Sequence, residues 1–135
     1  MNNIELGRRY DGIIERCVAI FEAKTKDYGP TWLFFRDESF VDQLWIKARR
    51  IRTLEENGDD SLVGEGRADE YLGIVNYGII MLMRMQNPEL FPSPGEVVAD
   101  TEAYYKLHLS DMKQAYLDAF AGVKALMEQD LRGEM

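Results

Sequence analysis

The sequence predicts an all-α fold, an antiparallel helical bundle of about four main helices. Three observations predict it. Apolar residues recur at helical spacing in four long stretches. The stretches are separated by connections rich in Gly, Pro and Asn. No segment alternates apolar with polar residues as a half-buried strand does. A chain of 135 residues is one domain's worth and can bury a real core, so residues 1–135 are read as a single helical domain.

The first helix is expected from about Ile4 to Ala23, with Leu6, Tyr10, Ile13, Ile14, Cys17, Ile20 and Phe21 on one stripe. Cys17 lies in that stripe and reads as a small buried side chain. The segment KTKDYGPTW that follows reads as a compact loop, punctuated by Gly29-Pro30. Trp32, Phe34 and Phe35 are too apolar for a solvated connection; they fold onto the core or line a pocket.

Ser39 and Asp42 form a variant capping box, which starts a second helix over about Phe40 to Glu56. Val41, Leu44, Trp45, Ala48 and Ile51 share its apolar face. Lys47 sits at the edge of that face and Arg52 inside it. Such charges either snorkel to solvent or converge on an anionic ligand. Residues 57–66 are a turn-rich linker.

The third helix, Arg67 to Gln86, is apolar nearly all round and is expected at the centre. One stripe breaks the pattern: Asp69, Glu70, Gly73, Asn76, Tyr77 and Arg84. Gly73 and Gly78 cost helix propensity and allow close approach of another helix or a ligand. Asn76 is either a satisfied core asparagine or a ligand contact. Asn87-Pro88 ends the helix, and Pro92, Pro94 and Gly95 keep the next segment irregular. A last helix is expected over about Asp100 to Leu131, interrupted near His108–Ser110. Its stripe includes Leu109, Met112, Tyr116, Ala119, Phe120, Val123, Leu126 and Met127.

A formal net charge of −8 argues against general nucleic-acid binding, which needs a basic surface. It leaves room for a small anionic ligand held by a local cluster of Lys and Arg. The single cysteine allows no intrachain disulfide and fits a reducing, cytoplasmic compartment. The N-terminus shows no apolar run of a signal peptide. The most apolar run, Tyr71 to Met83, has 13 residues and is too short to span a bilayer. No phosphate-binding glycine loop, CxxC cluster or HExxH motif is present, and His108 is the only histidine.

The combination KDYG, Trp32, DQLWIKARRIRTLE, SLVGEG and EYLGIVNYGII resembles nucleotide modification associated domain 1, over about residues 10–86. Members often carry the unit twice in tandem. Here one copy is seen, and the tail Tyr116 to Met135 aligns without gaps on Tyr10 to Gly29. The resemblance implies a distant likeness to the all-α nucleoside triphosphate pyrophosphohydrolases. Positions of this sequence that match the family's are Lys26, Asp27, Tyr28, Gly29, Trp32, Asp42, Lys47, Arg50, Glu70, Asn76 and Tyr77.

Enzymes of that class hold Mg²⁺ with an ExxE followed by an ExxD, and this sequence lacks that pair. It has spacing-four pairs at Asp11/Glu15, Glu38/Asp42 and Glu65/Asp69. With 24 acidic residues such pairs arise easily by chance; if a metal is used, Asp42, Asp69 and Glu70 are the candidate Mg²⁺ ligands. Three functions follow. The first is a site for a nucleotide or nucleotide-like ligand. There Lys47 and Arg50 meet phosphates, Tyr28 or Trp32 stacks on the base, and Asn76 or Asp27 reads polar edges. Lys26 and Tyr77 join that set through the resemblance. The second is a Mg²⁺-dependent pyrophosphohydrolase-like enzyme. The third is a non-catalytic interaction module, in which Asp42 or Glu70 pairs with Lys47 or Arg50, and Asn76 with Tyr77. Trp32, Phe34, Phe35, Tyr104, Tyr105, Met112 and Met127 offer more apolar surface than a monomer covers. A homodimer is expected, with the final helix as main contributor.

Overall fold

A computed structural model describes residues 2–58, 66–92 and 101–131. The first helix, α1, spans Asn3–Tyr28. Asn2 starts it: its side-chain oxygen accepts from the Glu5 N–H at 2.7 Å, and Glu5 places negative charge at the positive end of the helix. The helix outlasts the expected boundary at Ala23. The polar run KTKDY is its last turn, not a loop, because nothing before Gly29 breaks it. Gly29 does so by taking a positive φ of 76°. Pro30 then leads into a 3₁₀ turn, Thr31–Phe34.

Helix α2 spans Asp37–Glu56 and begins three residues earlier than its expected start at Phe40. Arg36 is its N-cap, with no side-chain cap bond, and Asp37 and Glu38 supply the acidic first turn. Ser39 is therefore inside the helix and the expected capping box does not form. Helix α3 spans Arg67–Gln86, as expected. The Asp69 carboxylate accepts from the Gly66 N–H at 3.3 Å. A 3₁₀ turn, Pro88–Leu90, follows. The final helix is broken at His108, also as expected, into α4, Thr101–Leu107, and α5, Leu109–Leu131. Most of the linker after α2, together with Pro94 and Gly95, lies outside the described residues.

Helix α3 is the middle of the bundle and packs on α1, α2 and α5. Its partner α2 runs antiparallel: Asp37 pairs with Arg84 at one end, and Glu55 with Arg67 at the other. Helices α1 and α5 are antiparallel as well, since Asp11 meets Lys124 while Phe21 stacks on Tyr116 at 4.3 Å. The core lies between these two pairs, around Cys17, Leu33, Phe40, Met83 and Met112. Each of the four larger of these side chains contributes about 1.5–3 kcal/mol by leaving water. Arg84 clamps the start of α2, pairing with Asp37, donating to the Phe35 carbonyl and lying over the Phe40 ring.

Two expectations about faces need correction. Val41, Trp45 and Ala48 of α2 are exposed; Ile51 is buried as expected, and the residues buried beside it are Phe40 and Lys47. The reason is that a cation, Lys47, occupies an inward position, and Arg52 is exposed. The second concerns the apolar residues expected to drive association through the last helix. Trp32 and Met112 are buried. Phe34 packs on Tyr104, and Trp32 on Tyr105. Helix α5 thus folds back on its own core through Met112, Tyr116, Ala119 and Phe120. No helix among the described residues is long and apolar enough to cross a membrane.

Candidate functional site

The end of α1, the 3₁₀ turn after it and the middle of α3 enclose a cleft of about 300 Å³. Extending α1 to Tyr28 is what builds it. Ile20, Lys24 and Tyr28 recur every four residues and present one face to α3. Phe21 and Trp32 form an apolar floor, and the Trp32 indole N–H donates to the Thr25 hydroxyl at 3.3 Å. Tyr28 stands at the mouth, 75% exposed. Gly73, Asn76, Tyr77 and Ile80 supply the α3 wall.

Beside this wall lies a charged cluster. Lys47 crosses from α2 over Gly73, and a Cβ at Gly73 would stand 2.8 Å from the Lys47 Cε. The glycine is what admits the lysine. Its Nζ reaches to 3.7 Å from the Glu70 Oε2 and lies 5.7 Å from the Tyr77 ring centre. Arg50 approaches the other Glu70 oxygen, also at 3.7 Å, from the solvent side. Lys47 is 7% exposed and Glu70 4%. Those separations exceed a hydrogen bond, so the attraction is charge on charge. The Glu70 Oε2 is buried and accepts no hydrogen bond from the described residues. Burial holds the Lys47 ammonium pKa below the ordinary lysine value; Lys24 and Arg50 push the same way and Glu70 opposes them.

Asn76 is buried and satisfied. Its amide donates to the Cys17 carbonyl at 3.0 Å, and its oxygen accepts from the Tyr116 hydroxyl. Its partners are on α1 and α5, so the expected pairing with Tyr77 is replaced by a tie across three helices. Tyr77 instead packs its ring on Phe35 and Phe40, and burial raises its hydroxyl pKa.

Of the sequence-derived candidates, Tyr28, Trp32, Asn76 and Tyr77 line the cleft, and Lys47, Arg50 and Glu70 gather at its edge. Lys26 faces away, into a groove shared with Glu22, Tyr105 and Lys113. Asp27 is exposed and lines neither. The three carboxylates expected to hold Mg²⁺ are not brought together. Asp42 is exposed beside Arg36 and Glu38, Asp69 caps α3, and Glu70 faces two cations. Among the described residues no three His, Cys, Asp or Glu side chains form a group able to hold a metal ion. Glu65 lies outside those residues. Sequence reasoning missed Lys24, Thr25 and Ile20. The available signal was their four- and five-residue spacing, which a helix continued past Ala23 brings onto one face.

Residues 24–85 match the family model for nucleotide modification associated domain 1. This domain match takes in the whole α3 wall, both tyrosines of the cleft and the Lys47, Arg50 and Glu70 cluster; Ile20 and Phe21 precede it. Neither the curated proteins nor the solved structures gave a match to the chain.

Proposed function

We propose that the cleft binds a small anionic ligand of nucleotide type. One observation carries this reading. Lys24 lines the cleft, Lys47 crosses Gly73 of its wall, and Lys24 and Arg50 both act on the Lys47 ammonium. Among the described residues, Glu70 is the sole carboxylate that acts on Lys47, in a chain of net charge −8. A phosphate beside Lys24 and Lys47 relieves their mutual repulsion. Tyr28, exposed at the mouth, and Trp32 on the floor offer ring faces to a base. The family's description, which associates it with nucleotide modification, supports the same class of ligand. A free, buried Cys17 suits a cytoplasmic setting.

Thermal denaturation with nucleoside mono- and triphosphates, with and without Mg²⁺, tests the reading. Ligand at a hundredfold excess over its dissociation constant stabilises the fold by about 2.7 kcal/mol, which raises Tm by several degrees. Lys24→Glu, at an exposed position, removes that rise while leaving the ligand-free Tm no lower than the parent's, because it also removes the repulsion on Lys47. No rise with any nucleotide at millimolar concentration overturns the proposal. A rise that needs Mg²⁺ transfers the argument to the pyrophosphohydrolase-like reading.

A second reading, an interaction module that pairs with another copy of the chain, is favoured by a separate observation. Trp45, Tyr71, Leu82 and Met85 are large apolar residues left exposed.

A further inference from the structure

Helix α3 leaves one stripe bare. Tyr71, Val75, Gly78, Leu82 and Met85 follow one another at steps of four, three, four and three residues. Those steps place the five on one continuous helix face, which nothing in the described domain covers. None of the five is buried; Met85 is 72% exposed. On α2, Val41 and Trp45 are bare too, and Trp45 is 65% exposed.

The two bare sets share one side of the α2–α3 pair. Tyr71 and Gly78 each follow a residue that faces α2, namely Glu70 and Tyr77. Val41 follows Phe40, which faces α3 in the same way. One residue is about 100° of helix rotation. Because α2 and α3 are antiparallel, the two rotations carry Val41 and Tyr71 to the same side of the pair. That side is opposite the cleft and the core.

We propose that this side is the contact between two copies of the chain, with α3 packed antiparallel on the partner's α3 across a two-fold axis at Gly78. The proposal rests on the self-pairing reading above and names its surface. The stripe is complementary to itself. Tyr71 and Met85 stand seven residues either side of Gly78, and Val75 and Leu82 stand three and four. A two-fold axis at Gly78 sets Tyr71 against the partner's Met85 and Val75 against the partner's Leu82. Each contact then occurs twice, as an isologous interface requires. Gly78 also gains a purpose. It weakens the helix, yet a Cβ there would meet nothing within 4 Å in its own chain. At a helix crossing, its absence lets two backbones approach closely. The size is compatible: if the contact covered all the exposed surface of Val41, Trp45 and the stripe, it would hide at most on the order of 700 Å² per copy, near the about 800 Å² per partner of a standard interface.

The test uses the full chain. Cys17 is buried, so an introduced thiol is the reactive one. Light scattering is expected to give twice the 15.6 kDa of one chain at micromolar concentration. Gly78→Cys is expected to give a disulfide-linked dimer on mild oxidation, and Gly122→Cys, exposed on α5, is not. Leu82→Glu is expected to weaken the dimer by about tenfold or more, with unchanged helical circular dichroism. A mass of one chain at every concentration overturns self-pairing and this face together. A mass of two chains, with cross-linking at residue 122 and none at residue 78, keeps self-pairing and overturns this face. A Leu82→Glu variant that stays folded and fully dimeric overturns the face as well.

Discussion

Lys47 carries its charge where burial, Lys24 and Arg50 all oppose it and Glu70 alone supports it. Its pKa in the folded chain therefore lies below the 10.5 of an unfolded lysine. Between the two values the unfolded chain binds a proton that the folded chain lacks. Stability tied to this group is then full above pH 10.5 and is lost as pH falls through the lowered value. In urea denaturation across that range, the parent is expected to gain stability with rising pH, and Lys47→Met to lack that gain. At neutral pH, Lys47→Met removes a cation whose burial is unfavourable but leaves Glu70 buried with only the rim cation Arg50, so a net cost below the about 3–5 kcal/mol of a fully broken buried pair is expected. Lys47→Met combined with Glu70→Leu is expected to recover most of that cost. A single Lys47→Met variant as stable as the parent would show the two charges to be uncoupled. The oddity of Lys47 was legible in the sequence, as a cation at the edge of an apolar stripe. Its partner was legible only as a choice, Asp42 or Glu70, and the packing of α3 on α2 selects Glu70, for Lys47 and Arg50 alike.

Between elements, Asn76 does the joining. It links α3 to the α1 backbone at Cys17 and to α5 at Tyr116. Tyr116→Phe keeps the ring stacked on Phe21 but leaves the Asn76 oxygen buried without a donor. A loss of about 1–3 kcal/mol is expected in thermal or chemical denaturation. A neutral outcome would mean that the oxygen has found another donor. The ends of α3 were legible because Gly66 and Asn87-Pro88 mark them chemically. The end of α1 was not, since KTKDY carries one apolar residue, Tyr28, and offers no period to follow. The face of α2 was misjudged for a related reason. Val41, Trp45 and Ala48 look like a core stripe by composition, and nothing local says that a lysine takes the inward place instead.

Taken whole, the molecule is two antiparallel helix pairs, α1 with α5 and α2 with α3, closed on one shared core. The helical class and the middle position of α3 were legible in periodicity alone. The return of α5 onto α1 was not, because the same apolar stripe serves equally for a neighbour in its own chain or in another. Cys17 sits where these pairs meet. It is fully buried, burial raises its thiol pKa, and its carbonyl holds Asn76. A thiol reagent can reach it only after the helices part, so the speed of labelling measures how often the native molecule opens. That turns one side chain into a reporter of occupancy at the cleft. A nucleotide held by the closed form slows labelling in proportion to one plus its concentration over its dissociation constant, about a hundredfold at a hundredfold excess. Labelling followed by mass spectrometry reads that factor without any label on the ligand. If a nucleotide raised Tm but left the labelling rate unchanged, Cys17 would be reached by a local parting of α1 that spares the cleft.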